Sequence, residues 1–529
     1  MNNGERETYE KEIEYLKKLV AQQERKLSEN ENRIAMLSEQ LAGLRRRFFG
    51  PRSERTKTVL PDSAQMSLFN EAELEGTEAI PEEKPADSSH VKAHSRKKKD
   101  SRKLDLTGME TETVVHYIPE GHLSCPECGS RDMVCIGENL VRYELHVVPA
   151  SYTVKKHVQK VYKCISCSDD EHTAIIKAPA PNGLVSHSPV TASSMTMTLL
   201  NKFQFALPFN RQEKLWKMMG IAVSKATMAN WILYAYRDWL KPLLGLMTEQ
   251  LLEETVIHAY ETRVQVMKEK GRRNTSQSYM WLYSTGGFAK TQIRLFEYQP
   301  SRSGDCAADF LKDFKRYLHT DAYSGYGKVS EAKHCFCYAH ARRKFVDSLP
   351  PGTADSGDTV AGKAIKQING LFELEQRYAD MDADERQKQR QAEARPRILA
   401  LFEYLESNLD RFTQSSAIAK AMKYMLNNRT SFMNYLEDGN CSISNNIAEY
   451  SIRPFTIGRK NWVLSGSPRG AEASAGVYSM IETCLANGID TRDYFMYIFE
   501  HMPQEENIHD RNVLQKYLPW NVPIENTNK

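Results

Sequence analysis

Ser442–Trp462 reads SISNNIAEYSIRPFTIGRKNW. It places one carboxylate, Glu449, on an expected helix. Asn445 and Asn446 come just before it, and Arg453, Arg459, Lys460 and Trp462 follow. Taken alone, the stretch reads equally well as an amphipathic helix with a charged face. Tyr317–Tyr326, YLHTDAYSGY, changes that balance. There a short apolar run ends in Asp321 and a small-residue turn, the pattern of a strand presenting a carboxylate at its C-terminal end. A strand-end Asp and a distant helix Glu are the usual supply of oxygen ligands for a two-metal phosphoryl-transfer site.

The surrounding sequence has the matching periodicity. Thr255–Tyr260, Ser278–Tyr283 and Gln292–Tyr298 read as three successive strands. A helix over Ala307–Phe314, the Asp321 strand and a strand near His334–Cys337 follow. A helix begins at Ala339 with Arg342, Arg343 and Lys344 in its first turns, where they either contact DNA or face solvent. This order is that of a ribonuclease-H-like domain, placed at 253–349 and 441–500. A charged helical insertion over 350–440 interrupts it, and 501–529 forms a C-terminal tail. The fold class expected is therefore multidomain α+β.

Toward the N-terminus, residues 187–247 turn helical. Ser224 reads as an N-cap for a helix carrying Thr227, Asn230 and Trp231. Two helices joined by a Gly turn resemble a helix-turn-helix, with Ser224–Trp231 entering a DNA groove; plain helical packing is the alternative. Residues 113–180 hold Cys125-Pro-Glu-Cys128 and Cys164-Ile-Ser-Cys167 around strand-like segments. Two such turns complete a closed tetrahedral shell of four thiolates, so structural Zn2+ is expected. Residues 50–112 read as a disordered charged linker, with too few aromatics to offset chain entropy.

Over 5–49, Ile13, Val20, Leu27, Ile34 and Leu41 recur every seven residues, with Leu16, Leu37 and Leu44 three residues after members of that series. This a/d seam predicts a leucine-zipper-like coiled coil and a homodimer or higher homo-oligomer. The seam ends in LRRRFFGPRSERTK. Its Arg45, Arg46, Arg47 and Arg52 suit phosphate contact, although a solvated helix end also favours cations. Formal net charge is only +3, so any DNA surface must come from such local clustering. No uninterrupted apolar run is long enough for a bilayer, and the charged N-terminus is unlike a signal peptide. A cytoplasmic protein is expected, nucleoid-associated when bound to DNA, with no membrane partner. The ten cysteines do not make a disulfide framework in so long a chain.

These motifs resemble, in order and over essentially the whole chain, the transposases of the insertion sequence sixty-six family, a group of bacterial DDE transposases. FFGPRSER, the two CxxC pairs, PFNRQEKL, HTDAYSGY, YAHARRKF, NNIAEYSIRPFTIGRKNW and GSPRGAEASAGVYSMIETCLANGID carry the resemblance. It implies that Asp321 and Glu449 are the second and third catalytic acids and bind Mg2+. It also implies double-stranded DNA partners, the insertion-sequence ends and the target. The first acid is expected in a segment that the family writes His-Ala-Asp-Glu-Thr. Here it is His258-Ala259-Tyr260-Glu261-Thr262, so Tyr260 holds the Asp position. A neutral phenol is a poor ligand for a hard cation. Glu261 is the substitute candidate, but adjacent strand side chains point to opposite faces. The expectation is a transposase that cleaves and joins DNA, impaired at Tyr260. The competing class is a catalytically inactive DNA-binding regulator of transposition. Asn445, Asn446, Arg453, Arg459, Lys460 and Trp462 are the candidate DNA contacts around Glu449, with orienting the Glu449 helix the alternative for Asn445 and Asn446 and core packing the alternative for Trp462.

Overall fold

The structure is a computed structural model. It describes residues 188–349 and 359–524 continuously, with 17–20, 22–23, 26, 153–158, 160–163, 175–177 and 183–186 besides. Of the expected coiled coil, residues 17–20, 22–23 and 26 are described, and they are helical. Arg45, Arg46, Arg47 and Arg52, the 50–112 linker and Cys125, Cys128, Cys164 and Cys167 lie outside the described residues. The chain divides into two compact units, one over Leu60–Ala180 and one that includes Pro181–Lys529. In the first, a short antiparallel pair joins Val161–Lys163 to Ile175–Lys177.

The second unit opens with helices. α1 (Ala192–Phe203) is capped by Thr191, and α2 (Phe209–Met218) ends in a turn where Gly220 has φ +78. Ser224 caps α3 (Lys225–Ala235) by accepting the Thr227 N–H, as its position predicts. A π-helical turn, Tyr236–Leu240, carries the run into α4 (Lys241–Leu252). The α2–turn–α3 arrangement is present, but Trp231 does not face outward. It is buried, and its indole N–H donates to Ser188 Oγ at 2.9 Å. Lys225, Ala226 and Asn230 are what α3 exposes from the predicted groove-facing stretch.

Five strands follow: β1 (Val256–Gln265), β2 (Gln277–Thr285), β3 (Arg294–Gln299), β4 (Tyr317–Thr320) and β5 (Lys333–Phe336). They form one mixed sheet in the order β3-β2-β1-β4-β5. The β3-β2-β1 half is antiparallel, while β4 and β5 join in parallel. A central strand is covered on both faces, and Val256 to Ala259 are accordingly all buried. β1 runs five residues past its expected end at Tyr260, because its ladder with β2 continues unbroken to Gln265 opposite Gln277.

α5 (Gly304–Phe310) links β3 to β4, and α6 (Tyr338–Ser348) follows β5. The predicted insertion is helical: α7 (Val360–Arg377), α8 (Ala383–Gln389), α9 (Arg395–Leu409), α10 (Ala417–Leu426) and α11 (Arg429–Met433). Ile368, Leu371, Ile398, Leu405 and Met422 from these helices share one core with Phe345 of α6. Buried Arg390 is held there by two bonds to the Glu375 carboxylate, at 2.9 and 2.6 Å.

The chain then returns to the sheet. α12 (Asn446–Trp462) packs on β1 and β2, and α13 (Pro468–Ala486) on β3. α14 (Thr491–His501) packs on α1 and α15 (Arg511–Lys516) on α4, so the C-terminal segment closes over the opening helices. α12 stops abruptly at Val463. That residue has φ +65 and ψ −52, and the Leu464 N–H reaches Trp462 O at 2.8 Å across it. This is a strained three-residue turn, and a β-branched side chain suits it poorly. Val463 is 62% exposed, so little packing depends on it. Val463→Gly is expected to stabilise the chain by about 1 kcal/mol, near 2 °C in the thermal midpoint. A midpoint that is unchanged or lower would refute the strain.

Candidate active site

The parallel register of β1 and β4 sets Ile257 opposite Leu318 and His258 opposite His319. Two residues on, the same register brings Tyr260, in the middle of β1, next to Asp321, where β4 ends. Asp321 Oδ1 accepts the Tyr323 N–H at 2.9 Å, and Ala322 between them has φ +66. A left-handed alanine costs roughly 1 kcal/mol. Here it ends β4 and leaves the Asp321 carboxylate at the strand tip, as the sequence pattern predicts.

Glu449 arrives from the other side, in the first turn of α12. Asn445 decides where that helix starts. Its Nδ2 donates to Ala259 O (2.9 Å), and its backbone N–H donates to Cys337 Sγ (3.1 Å). That leaves Asn445 Oδ1 as acceptor, so His258 Nδ1 carries the proton across their 2.8 Å bond. The His258 and His319 rings stack in parallel at 4.7 Å, and His319 Nε2 donates to Ser442 O at 2.8 Å. Burial pulls His258 down to about 4 and holds His319 well below the ordinary histidine value, so both rings are neutral. Two strand histidines thus grip residues 442–445 and aim the α12 N-terminus at β1.

Glu449 Oε1 lies 3.5 Å from His340 Nε2, and Oε2 lies 3.9 Å from the Arg343 guanidinium. Neither Glu449 Oε1 nor His340 Nδ1, both buried, has a hydrogen-bond partner among the described residues. Asp321 and Glu449 both act electrostatically on the same two groups, Tyr260 and His340. Burial, then Glu449 and Asp321, push the Tyr260 phenol up to about 12, so it stays neutral. Burial holds the His340 imidazole below its ordinary value despite the opposing pull of Glu449.

This donor set can be weighed against a metal. The Glu449 carboxylate and the His340 imidazole, with the Cys337 sulfur, offer donors within 4.8 Å of one another that suit one divalent cation, and an unpartnered buried carboxylate oxygen calls for a positive neighbour. They do not suit two cations, since a neutral phenol stands where a bridging carboxylate is needed. Glu261 does not fill the gap. Its carboxylate is buried, takes the Arg302 guanidinium on Oε1 (2.8 and 2.5 Å) and the Tyr326 hydroxyl on Oε2 (2.6 Å), and the β1–β2 ladder shows no bulge to turn it.

The candidate DNA contacts divide. Lys460 is exposed and Arg453 half-buried, its guanidinium 4.9 Å over the Tyr450 ring. Arg459 donates to Thr262 Oγ1 at 3.2 Å, and half-buried Asn446 begins α12. Asn445 is fully buried, and its polar atoms are engaged by His258, Ala259 and Cys337, which fits the alternative that it orients the Glu449 helix. Half-buried Trp462 packs edge-on against Phe455 at 5.5 Å, which fits the packing alternative and not base stacking. Arg342 is tied to Asn369 Oδ1 at 2.6 Å, which leaves Arg343 as the α6 guanidinium beside Glu449. Reading the sequence missed His340 and the His258–His319 pair. Cys337-x-x-His340 at a helix start was the available signal for the first. Nothing local marked the second.

Comparison with known families identifies the class as transposase. Residues 187–473, more than half of the chain, match the family described as Transposase IS66 family, and the chain belongs to that family. Residues 123–168 match the zinc-finger binding domain of transposase IS66, and 36–106 match Transposase C of IS166 homeodomain. The chain is similar over 92% of its length to three proteins of Sinorhizobium fredii (strain NBRC 101917 / NGR234) that carry only the name uncharacterized protein. They are y4hP (27% identical, 88% of its length covered), y4qI (28%, 89%) and y4jD (26%, 94%). No described helix is long and apolar enough to cross a membrane.

Proposed function

We propose that this chain binds the terminal repeats of a bacterial insertion sequence and carries out metal-dependent DNA cleavage and strand transfer, slowly, because Tyr260 replaces the first acid. The observation that carries the proposal is the placement of Asp321 just past the end of β4 and of Glu449, 3.5 Å from His340, on the helix that packs against the neighbouring strand β1. The strand order β3-β2-β1-β4-β5 supports reading the fold as ribonuclease-H-like. The zinc-finger match supports Zn2+ in the 113–180 module, with Cys125, Cys128, Cys164 and Cys167 as its ligands. The 5–49 seam would pair two copies on DNA.

Asp321 and Glu449 would supply the carboxylate oxygens for a divalent ion, Mg2+ by family habit. When bound, that ion activates a water or a DNA 3′-hydroxyl for in-line attack on a phosphodiester and stabilises the leaving oxygen. Arg343, 53% exposed beside Glu449, is placed to neutralise a phosphate oxygen, with Arg453 and Lys460 further along α12. Tyr260 can give only a hydrogen bond to a carboxylate or phosphate oxygen.

Tyr260 also favours the second reading, a DNA-binding regulator without catalysis. Nicking of a labelled terminal-repeat duplex separates the two. The chain is expected to nick it only with a divalent ion, and Glu449→Gln to lower the rate at least about 100-fold. Retained DNA binding without nicking under any ion would establish the regulator instead.

A further inference from the structure

Resting on the reading of Asp321 and Glu449 as a metal-dependent site, we propose that His340 is a ligand of that site, which therefore takes a first-row transition cation such as Mn2+ in preference to Mg2+. Three donor atoms, from Cys337, His340 and Glu449, lie within 4.8 Å of one another. Cys337 Sγ is not the free member of this group, because it already accepts the Asn445 N–H at 3.1 Å. His340 is free in that sense. Its Nε2 stands 3.5 Å from Glu449 Oε1, and that oxygen takes no hydrogen bond among the described residues.

Buried polar atoms are nearly always paired, so donor atoms that face each other without bonding outline a place for a cation. The position is rigid. His340 sits in the first turn of α6, between the buried Tyr338 and Ala341, and Phe345 anchors that helix in the core of the insertion. The donors that lie within 4.8 Å of one another are thus the His340 imidazole and the Glu449 carboxylate beside the Cys337 sulfur, a set with nitrogen and sulfur in it as well as oxygen. Mg2+ demands an oxygen shell and keeps its water, whereas an imidazole suits transition ions.

The test uses the full chain with its zinc module loaded and Mn2+ as the probe, read by electron paramagnetic resonance. Glu449→Gln is expected to weaken Mn2+ binding at least about 10-fold, and His340→Gln to do the same. The bound Mn2+ should show nitrogen hyperfine modulation in the parent chain and none in His340→Gln. Mg2+ should compete at least about 10-fold more weakly than Mn2+. Mn2+ that depends on Glu449 but shows no nitrogen coupling overturns the assignment of His340 alone. Binding that is indifferent to Glu449→Gln overturns the reading of the site beneath it. Gln keeps a polar side chain at position 340, and an unchanged circular dichroism melt separates lost ligation from lost folding.

Discussion

Tyr260→Asp is expected to raise divalent-ion-dependent nicking of terminal-repeat DNA at least about 100-fold over the parent chain. Outer partners of a metal site already change affinity or activity about 10–100-fold, and a ligand that bridges two ions should exceed that. The backbone is in place for it. Tyr260 stands in the middle of β1 beside Asp321, and its phenol lies in the field of Glu449 and Asp321 together. Swapping phenol for carboxylate would put three anionic groups in one half-buried space. Without metal they repel, so the variant should melt below the parent in chelator and regain stability as divalent ion is added. Its ion preference should move toward Mg2+, since a further carboxylate then adds oxygen to the site beside the His340 nitrogen. Tyr260→Phe is the control and should leave nicking within a few-fold of the parent. Equal rates for Tyr260→Asp and parent would mean that the phenol is not what limits this site.

How much of this was legible beforehand depends on range. Strands and helices were readable because their patterns are local. YLHTDAYSGY gave away both the strand and its terminal carboxylate, and the Glu449 helix was visible in its own periodicity. The face that Glu261 takes followed from alternation along β1, and its Arg302 and Tyr326 partners agree. Trp231 and Trp462 stayed open between packing and DNA contact because an aromatic among polar residues reads alike in a core and on a DNA face; the contacts with Ser188 and Phe455 are long-range or tertiary facts that the pattern does not carry. Asn445 stayed open between orienting the helix and holding a phosphate for the same reason. A polar residue before a helix is ordinarily a surface cap, and its three partners lie 108 residues or more away in the chain.

Those partners make a large stability loss the expected result of Asn445→Ala. Removing the amide leaves His258 Nδ1–H and Ala259 O without partners in a fully buried layer, while the backbone bond to Cys337 Sγ can persist. Each orphaned buried group costs roughly 1–3 kcal/mol, so about 2–5 kcal/mol should be lost in urea unfolding at pH 7.5. Relief is closed to His258, whose other ring nitrogen is already buried without a partner. Nor can it readily take up a second proton, with neutral His319 stacked on it and the Arg294 charge opposing. Function should suffer beyond stability. Glu449 is one helical turn from Asn445, so a loosened α12 start moves the carboxylate away from His340 and Asp321. Affinity for Mn2+ should therefore fall in the folded fraction of Asn445→Ala, although residue 445 touches no metal. A variant that unfolds within about 0.5 kcal/mol of the parent, with Mn2+ affinity intact, would mean that the histidine pair and Asn445 do not position the acid.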